Sequence, residues 1–272
     1  TLNSTNTSTF NNKNVGSNKT VTVNSITLAN GTNGGLASNY SISPGQTTTA
    51  NITPKALTVS GITASNKVYD GNRTATLNTV SVTYTGLVGG DVFNGTYTGA
   101  FSDKNAGVNK TVTITPSYTG ADVSNYSVND HANVTANITA KTLTATASAS
   151  NKVYDGDNTA TTTLTLSGLI GSETLDATNN SSTFNNKNVG TSKSVTVNSI
   201  TLADGTNGGL ASNYSISPGQ TTTANITAKT LTATASASNK VYDRSANASV
   251  TLSLSGLIGS ETLNSTNTST FN

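Results

Sequence analysis

The chain has 272 residues, a formal net charge of +2 and only 10% charged residues. Thr, Ser and Asn fill close to half of it, and Cys, Met and Trp are absent, which excludes disulfides, thiolate metal sites and thiol nucleophiles. Low charge with plentiful Val, Ile and Thr argues against disorder and for strands, while 24 Gly and many Asn supply turns.

From the N-terminus, Thr1–Asn11 reads TLNSTNTSTFN, and the same letters return as Thr262–Asn272. Between them four motifs recur in a fixed order. Lys-Asn-(Val/Ala)-Gly stands at Lys13–Gly16, Lys104–Gly107 and Lys187–Gly190. Ser-Asn-Tyr-Ser stands at Ser38–Ser41, Ser124–Ser127 and Ser212–Ser215. Ala-Asn-Ile-Thr-x-Lys-x-Leu-Thr begins at Ala50, Ala136 and Ala224, and Ser-Asn-Lys-Val-Tyr-Asp occupies Ser65–Asp70, Ser150–Asp155 and Ser238–Asp243. The mean period is about 87 residues, long enough for one β module per copy. The spacing divides the chain into a C-terminal part of a repeat (1–54), two complete repeats (55–140 and 141–228) and an N-terminal part (229–272). Mid-repeat ends read as a window on a longer tandem array. The rival is a subunit whose half-repeats neighbours complete, as in strand donation.

Within the copy at 141–228, Lys141–Ser148 alternates with Leu143, Ala145 and Ala147 on one face, a half-buried strand. Lys152–Asp155 is a second extended stretch and leads into the turn pair Asp155-Gly156. Thr161–Leu169 alternates through Leu164 and Leu166. In Ser194–Leu202 the apolar positions step from Val197 to Ile200, an odd interval that calls for a bulge near Asn198–Ser199. The Gly-rich loop Asp204–Gly209 precedes closing strands at Tyr214–Ile216 and Thr221–Ile226. The expected thin core is Leu143, Val153, Tyr154, Leu164, Leu166, Leu169, Ile170, Leu175, Phe184, Val195, Val197, Ile200, Leu202, Tyr214, Ile216 and Ile226.

No window sustains a helical period. Six to nine short strands per repeat predict an all-β tandem array of small sandwich-like modules. A β-helix is the second choice, because no sub-period near 20 residues is found. At the joints, Ala136–Ala147 and Ala224–Ala235 contain neither Gly nor Pro, and the first joint carries only Pro54. Such segments read as extended strands shared by successive modules, which predicts stiff joints and a rod rising roughly 35 Å per repeat.

The ordered set Lys-Val-Tyr-Asp-Gly, Lys-Asn-Val-Gly-x-x-Lys-x-Val-Thr-Val, Ser-Asn-Tyr-Ser and Ile-Thr-(Pro/Ala)-Lys-x-Leu-Thr resembles the YDG repeat of large bacterial surface proteins, notably filamentous-haemagglutinin-type adhesins exported by two-partner secretion. The resemblance covers essentially the whole chain. It implies an extracellular or cell-surface role, with repeats acting as stalk or fibre. Two positions depart from the pattern: Arg244 replaces the glycine after Asp243, and Asp103–Gly107 reads Asp-Lys-Asn-Ala-Gly.

The motif residues are Lys67, Tyr69, Asp70, Lys152, Tyr154, Asp155, Lys240, Tyr242 and Asp243. Each Tyr shares a strand face with the Lys two residues earlier and is expected to pack with its hydroxyl bonded, although an exposed sugar contact is the alternative. Each Asp is expected to shape a turn. A Lys–Asn isopeptide bond would need a buried neutral Lys and a protonated carboxyl. More often Lys beside Asp is a rim ion pair or a stem lying over the core. Calcium would need a denser acidic loop than Asp204–Gly209. Sequons such as Asn3, Asn18, Asn30, Asn51, Asn137 and Asn225 follow from composition, with some occupancy by N-glycans conceivable. The single His131 replaces Gly45 and Gly219 of the other copies, so no repeated triad forms around it.

No catalytic residue, cofactor or metal is expected. No apolar run suits a membrane helix, 5% aromatics give no barrel girdle, and no basic cluster suits nucleic acid. The expected partners are neighbouring repeats of the same or identical chains, with a surface glycan or matrix polymer as the second class. The leading function is a structural stalk of a surface adhesin. The alternative is a multivalent glycan-binding module, which a repeated exposed aromatic patch would favour.

Overall fold

The computed structural model describes residues 3–270, and they are nearly all β. They form two compact units. One runs through Val68 and resumes over Asn72–Thr139; the other takes Tyr69–Gly71 and everything from Ala140 onward.

In the first unit, Asn3–Phe10, Gly16–Ala29 and Thr47–Ile52 make a three-stranded antiparallel sheet. After Pro54 the chain continues as Lys55–Ser60, between Tyr126–Asn129 and Thr83–Thr85 in a second sheet. Opposite it lies a five-stranded sheet in the order Lys67–Val68, Val134–Thr139, Gly107–Thr119, Asn94–Phe101, Thr74–Ala75. Alternation explains which side chains meet: Leu57, Val59 and Ile62 are buried against Phe93 and Tyr126, and Phe101, Val112 and Ile138 are also buried.

The second unit repeats the plan. Residues 141–228 contain eight strands. Its main sheet runs Lys152–Val153, Thr221–Thr227, Gly190–Asp204, Leu175–Phe184, and Thr144–Ala149 pairs with Thr162–Ser167 alongside. Phe184, Val195, Ala224 and Ile226 form the core, covered by Ala149, Tyr154 and Ala160.

The odd step in the third repeat is a bulge: Ser182 pairs with Val197 and Ser181 with Ser199, so Asn198 has no partner opposite. Asn24 is skipped in the same way between Ser25 and Val23. A second bulge follows each Lys-Asn-x-Gly motif, with Asn18, Asn109 and Ser192 at positive φ. Their N–H groups donate to the side-chain oxygens of Asn51, Asn137 and Asn225 at 2.7–2.8 Å. Three of the sequon asparagines thus hold a bulge.

Two expectations need correction. Val153 is not core but 54% exposed. Lys152 and Tyr154 point inward, and the two-residue period turns the residue between them outward. Neither joint is one continuous strand: in Ala136–Ala147 the strands Val134–Thr139, Lys141–Thr142 and Thr144–Ala149 are separate, and in Ala224–Ala235 Thr221–Thr227 ends before Ala228 and pairing resumes at Thr232.

Candidate functional site

Around residue 170 the turn Gly168–Glu173 uses Gly168 (φ 100°) and Gly171 (φ 56°) to bring a carboxylate inward. The backbone N–H of Ile170 donates to the Tyr214 hydroxyl at 3.0 Å, and that hydroxyl donates to Glu173 Oε2 at 2.6 Å. The Tyr69 hydroxyl donates to Glu173 Oε1, also at 2.6 Å. The two tyrosine rings meet edge to face, 5.4 Å between centroids. Glu173 is buried, and both of its oxygens accept a hydroxyl, which offsets the desolvation of the charge. Burial, and then the hydrogen bond to Glu173, push the Tyr214 pKa up to about 12. A short 3-10 turn, Ala211–Asn213, delivers Tyr214.

The same loop also fixes the motif glycine. A Cβ on Gly71 (φ 79°) would lie 2.8 Å from Ile170 Cγ2, and one on Gly156 (φ 90°) would lie 2.7 Å from Ile258 Cγ2. Correspondingly, the Tyr154 hydroxyl donates to Glu261, and Lys187 Nζ lies 3.9 Å from that carboxylate. Tyr154 belongs to one repeat and Glu261 to the next. The bond to Glu261 raises the Tyr154 pKa, with burial adding to it.

In the first unit the acid is Asp91. Tyr126 donates to Asp91 Oδ2 at 2.6 Å and accepts from the Val88 N–H at 3.0 Å. Lys13, one repeat earlier, reaches Asp91 at 3.2 Å and Asp122 at 3.0 Å. The Val92 N–H, then Lys13, hold Asp122 below the usual carboxylate range. The Val15 N–H donates to Asn125 Oδ1 at 2.9 Å, adding a second link between the two repeats. Asp91 and Glu173 therefore each receive a tyrosine of their own repeat's Ser-Asn-Tyr-Ser motif and a group from the repeat before, and Glu261 receives two groups from the repeat before.

The other motif residues build the loops that present these tyrosines. Lys67 Nζ donates to the Asn72 and Thr74 carbonyls and lies over the Phe101 ring, 5.4 Å from its centroid. Lys152 pairs with Asp155 and Asp157 at 2.8 Å and lies over Phe184. Burial disfavours the Lys152 ammonium, but the hydrogen bonds to Asp155 and Asp157 outweigh it and raise the pKa. The charged amine so held is the wrong species for isopeptide chemistry. Lys240 bonds Asp243 and the Ser245 carbonyl at 2.8 Å. Asp155 and Asp243 accept the N–H two residues on, closing the turn, and Asp70 is exposed beside Gly71. The three tyrosines differ sharply in exposure: Tyr69 1%, Tyr154 partly buried, Tyr242 85%.

Elsewhere, Asp204 accepts the Ala211 N–H at 2.7 Å, and His131 Nδ1 lies 2.6 Å from the Ala132 carbonyl. No group of three metal-ligating side chains occurs among the described residues. Sequence reasoning missed Asp91, Glu173 and Glu261. The signal was there: Gly86–Asp91, Gly168–Glu173 and Gly256–Glu261 all read Gly-Leu-(Val/Ile)-Gly-x-acid in a chain with 12 acidic residues.

Residues 1–50, 53–136 and 139–224 each match the YDG domain. No curated protein and no solved structure matches the chain.

Proposed function

The chain belongs to the YDG domain family, and from that premise we propose that it is a structural stalk or filament segment of a bacterial cell-surface or extracellular-matrix adhesin, of the filamentous-haemagglutinin type exported by two-partner secretion. The observation that carries this reading is the acid of each repeat, engaged by side chains of the repeat before it: Lys13 on Asp91, and Tyr154 and Lys187 on Glu261. Polar side chains committed to joining repeats suit a protein whose product is length and stiffness. The burial of Tyr69 and the partial burial of Tyr154, each with its hydroxyl on an acid, weigh against the multivalent glycan-binding alternative, which would use the motif rings as an exposed repeated platform, although Tyr242 is 85% exposed.

Negative-stain microscopy of native material tests the proposal. Regular fibres with a roughly 35 Å axial repeat are expected, about ten extended residues per module. Collapsed particles, or beads at unrelated angles, would overturn it.

A further inference from the structure

The complete repeat at 55–140 carries a row of phenols that the repeat after it lacks. Tyr84, on Thr83–Thr85, faces Tyr97, on Asn94–Phe101 in the sheet opposite, and their hydroxyls lie 3.1 Å apart. Tyr118 packs edge to face on Tyr97 with 6.2 Å between ring centroids, and its hydroxyl donates to Asp130 Oδ1 at 2.7 Å. All three tyrosines are half-buried, with Phe93 against Tyr84 and Tyr118. At the matching positions residues 141–228 place Leu166, Asn179 and Leu202.

A glycine makes room for the pair. A Cβ on Gly95 would lie 2.6 Å from the Tyr84 hydroxyl and closer still to that of Tyr97. Gly95 has no positive φ, so space rather than backbone conformation calls for glycine there. The chain has no Cys, Met or Trp, so tyrosine is its most easily oxidised side chain, and an electron hole has no sulfur or indole to drain into. Burial, and then the bond to Tyr84, raise the Tyr97 pKa; burial, and then the bond to Asp130, raise that of Tyr118. These phenols therefore hold their protons, and oxidising one requires a base to take the proton. Asp130, exposed at the end of the row, is such a base.

We propose that Tyr84 and Tyr97 are a site of oxidative cross-linking, joined as a dityrosine by a one-electron oxidant of the peroxide-fed peroxidase class. Each phenol loses one electron and its hydroxyl proton. The two radicals couple through ring carbons beside their oxygens, one carbon–carbon bond forms, and the hydrogen on each coupled carbon leaves as a proton that restores a hydroxyl. Peroxide takes up the two electrons and two protons and leaves as two waters. Tyr118 and Asp130 are the relay: Asp130 takes the Tyr118 proton as an electron departs and returns it when Tyr97 refills the ring. The bond ties the two sheets of one module together across 13 residues of chain, so tension cannot part them there.

Treatment of the full chain, at low concentration, with hydrogen peroxide and a haem peroxidase tests the proposal. The monomer is expected to lose two hydrogens in intact mass and to gain dityrosine fluorescence. After unfolding, cleavage before Asp70, Asp91 and Asp103 separates Tyr84 from Tyr97, and fragments 70–90 and 91–102 are expected to stay joined. Tyr97→Phe, which keeps the ring and its packing, abolishes the joined fragment, whereas Tyr118→Phe slows its formation. Fragments that come apart, or a monomer whose cross-link joins other tyrosines such as Tyr69 and Tyr214, would overturn the site. A Tyr118→Phe chain that couples as fast as wild type would overturn the relay. None of these results would touch the stalk reading, which depends on contacts between successive repeats.

Discussion

At the scale of single residues, the junction is a proton-holding device as much as a packing one. The Tyr214 hydroxyl donates a hydrogen bond to a buried carboxylate, so forming its phenolate would place two negative charges side by side. Its folded pKa of about 12 exceeds the ordinary value near 10, so the stabilisation is fully present below pH 10 and is lost as pH rises through 12. Tyr126 and Tyr154 are shifted in the same direction by Asp91 and Glu261. Spectrophotometric titration of the nine tyrosines should show a late class that ionises together with unfolding. Tyr214→Phe should remove one member of that class and cost about 1–3 kcal/mol, because the Ile170 N–H loses its acceptor and Glu173 loses a donor. Nine tyrosines ionising together near pH 10 would refute the arrangement. A packed tyrosine with a bonded hydroxyl was legible from the motif for Tyr69 and Tyr154, because Lys and Tyr at a two-residue spacing share a face, whereas Tyr242 is 85% exposed instead of packed. The partner acid was not, since Tyr69 and Glu173 are 104 residues apart and an isolated Glu in a Gly-rich loop reads as solvated.

At the scale of elements, the motif name-bearing glycine is explained by two constraints at once. Gly156 holds φ at 90°, and a Cβ there would lie 2.7 Å from Ile258 Cγ2, so a side chain would force one of them to move. Gly156→Ala should therefore destabilise the second unit by about 1–3 kcal/mol, more than the strain of a positive φ alone, and chemical denaturation will read it. The double variant with Ile258→Ala should recover part of the loss; no recovery would mean that the backbone conformation, not the contact, is what matters. Strand positions and the bulge at Asn198 followed from alternation and its one odd step, signals that lie within a few residues of each other. The Asn51, Asn137 and Asn225 side chains at the second bulge were not predictable in this way. Asn is so abundant that composition hides which copies bridge to a backbone N–H some 30 residues away.

At the scale of the whole molecule, the repeats supply an internal control that few proteins offer. Val21–Ala29 and Val195–Ala203 are identical in sequence, VTVNSITLA, and each lies in a strand between two antiparallel neighbours. Propensity is therefore equal, and so is the pairing of Val21 and Val23 with Phe10 and Ser8 and of Val195 and Val197 with Phe184 and Ser182. Burial is not: Val195 and Val197 are fully buried, while Val21 and Val23 are only partly so. The difference comes from Ala149, Tyr154 and Ala160, which cover the core around Val195, whereas the sheet containing Val21 has no such cover among the described residues. Hydrophobic cover of a few side chains is worth about 1.5–3 kcal/mol each, so amide exchange in Val195–Ala203 should be slower than in Val21–Ala29 by at least roughly tenfold. Equal rates would mean that each sheet is stable without its neighbour and that repeats do not depend on one another.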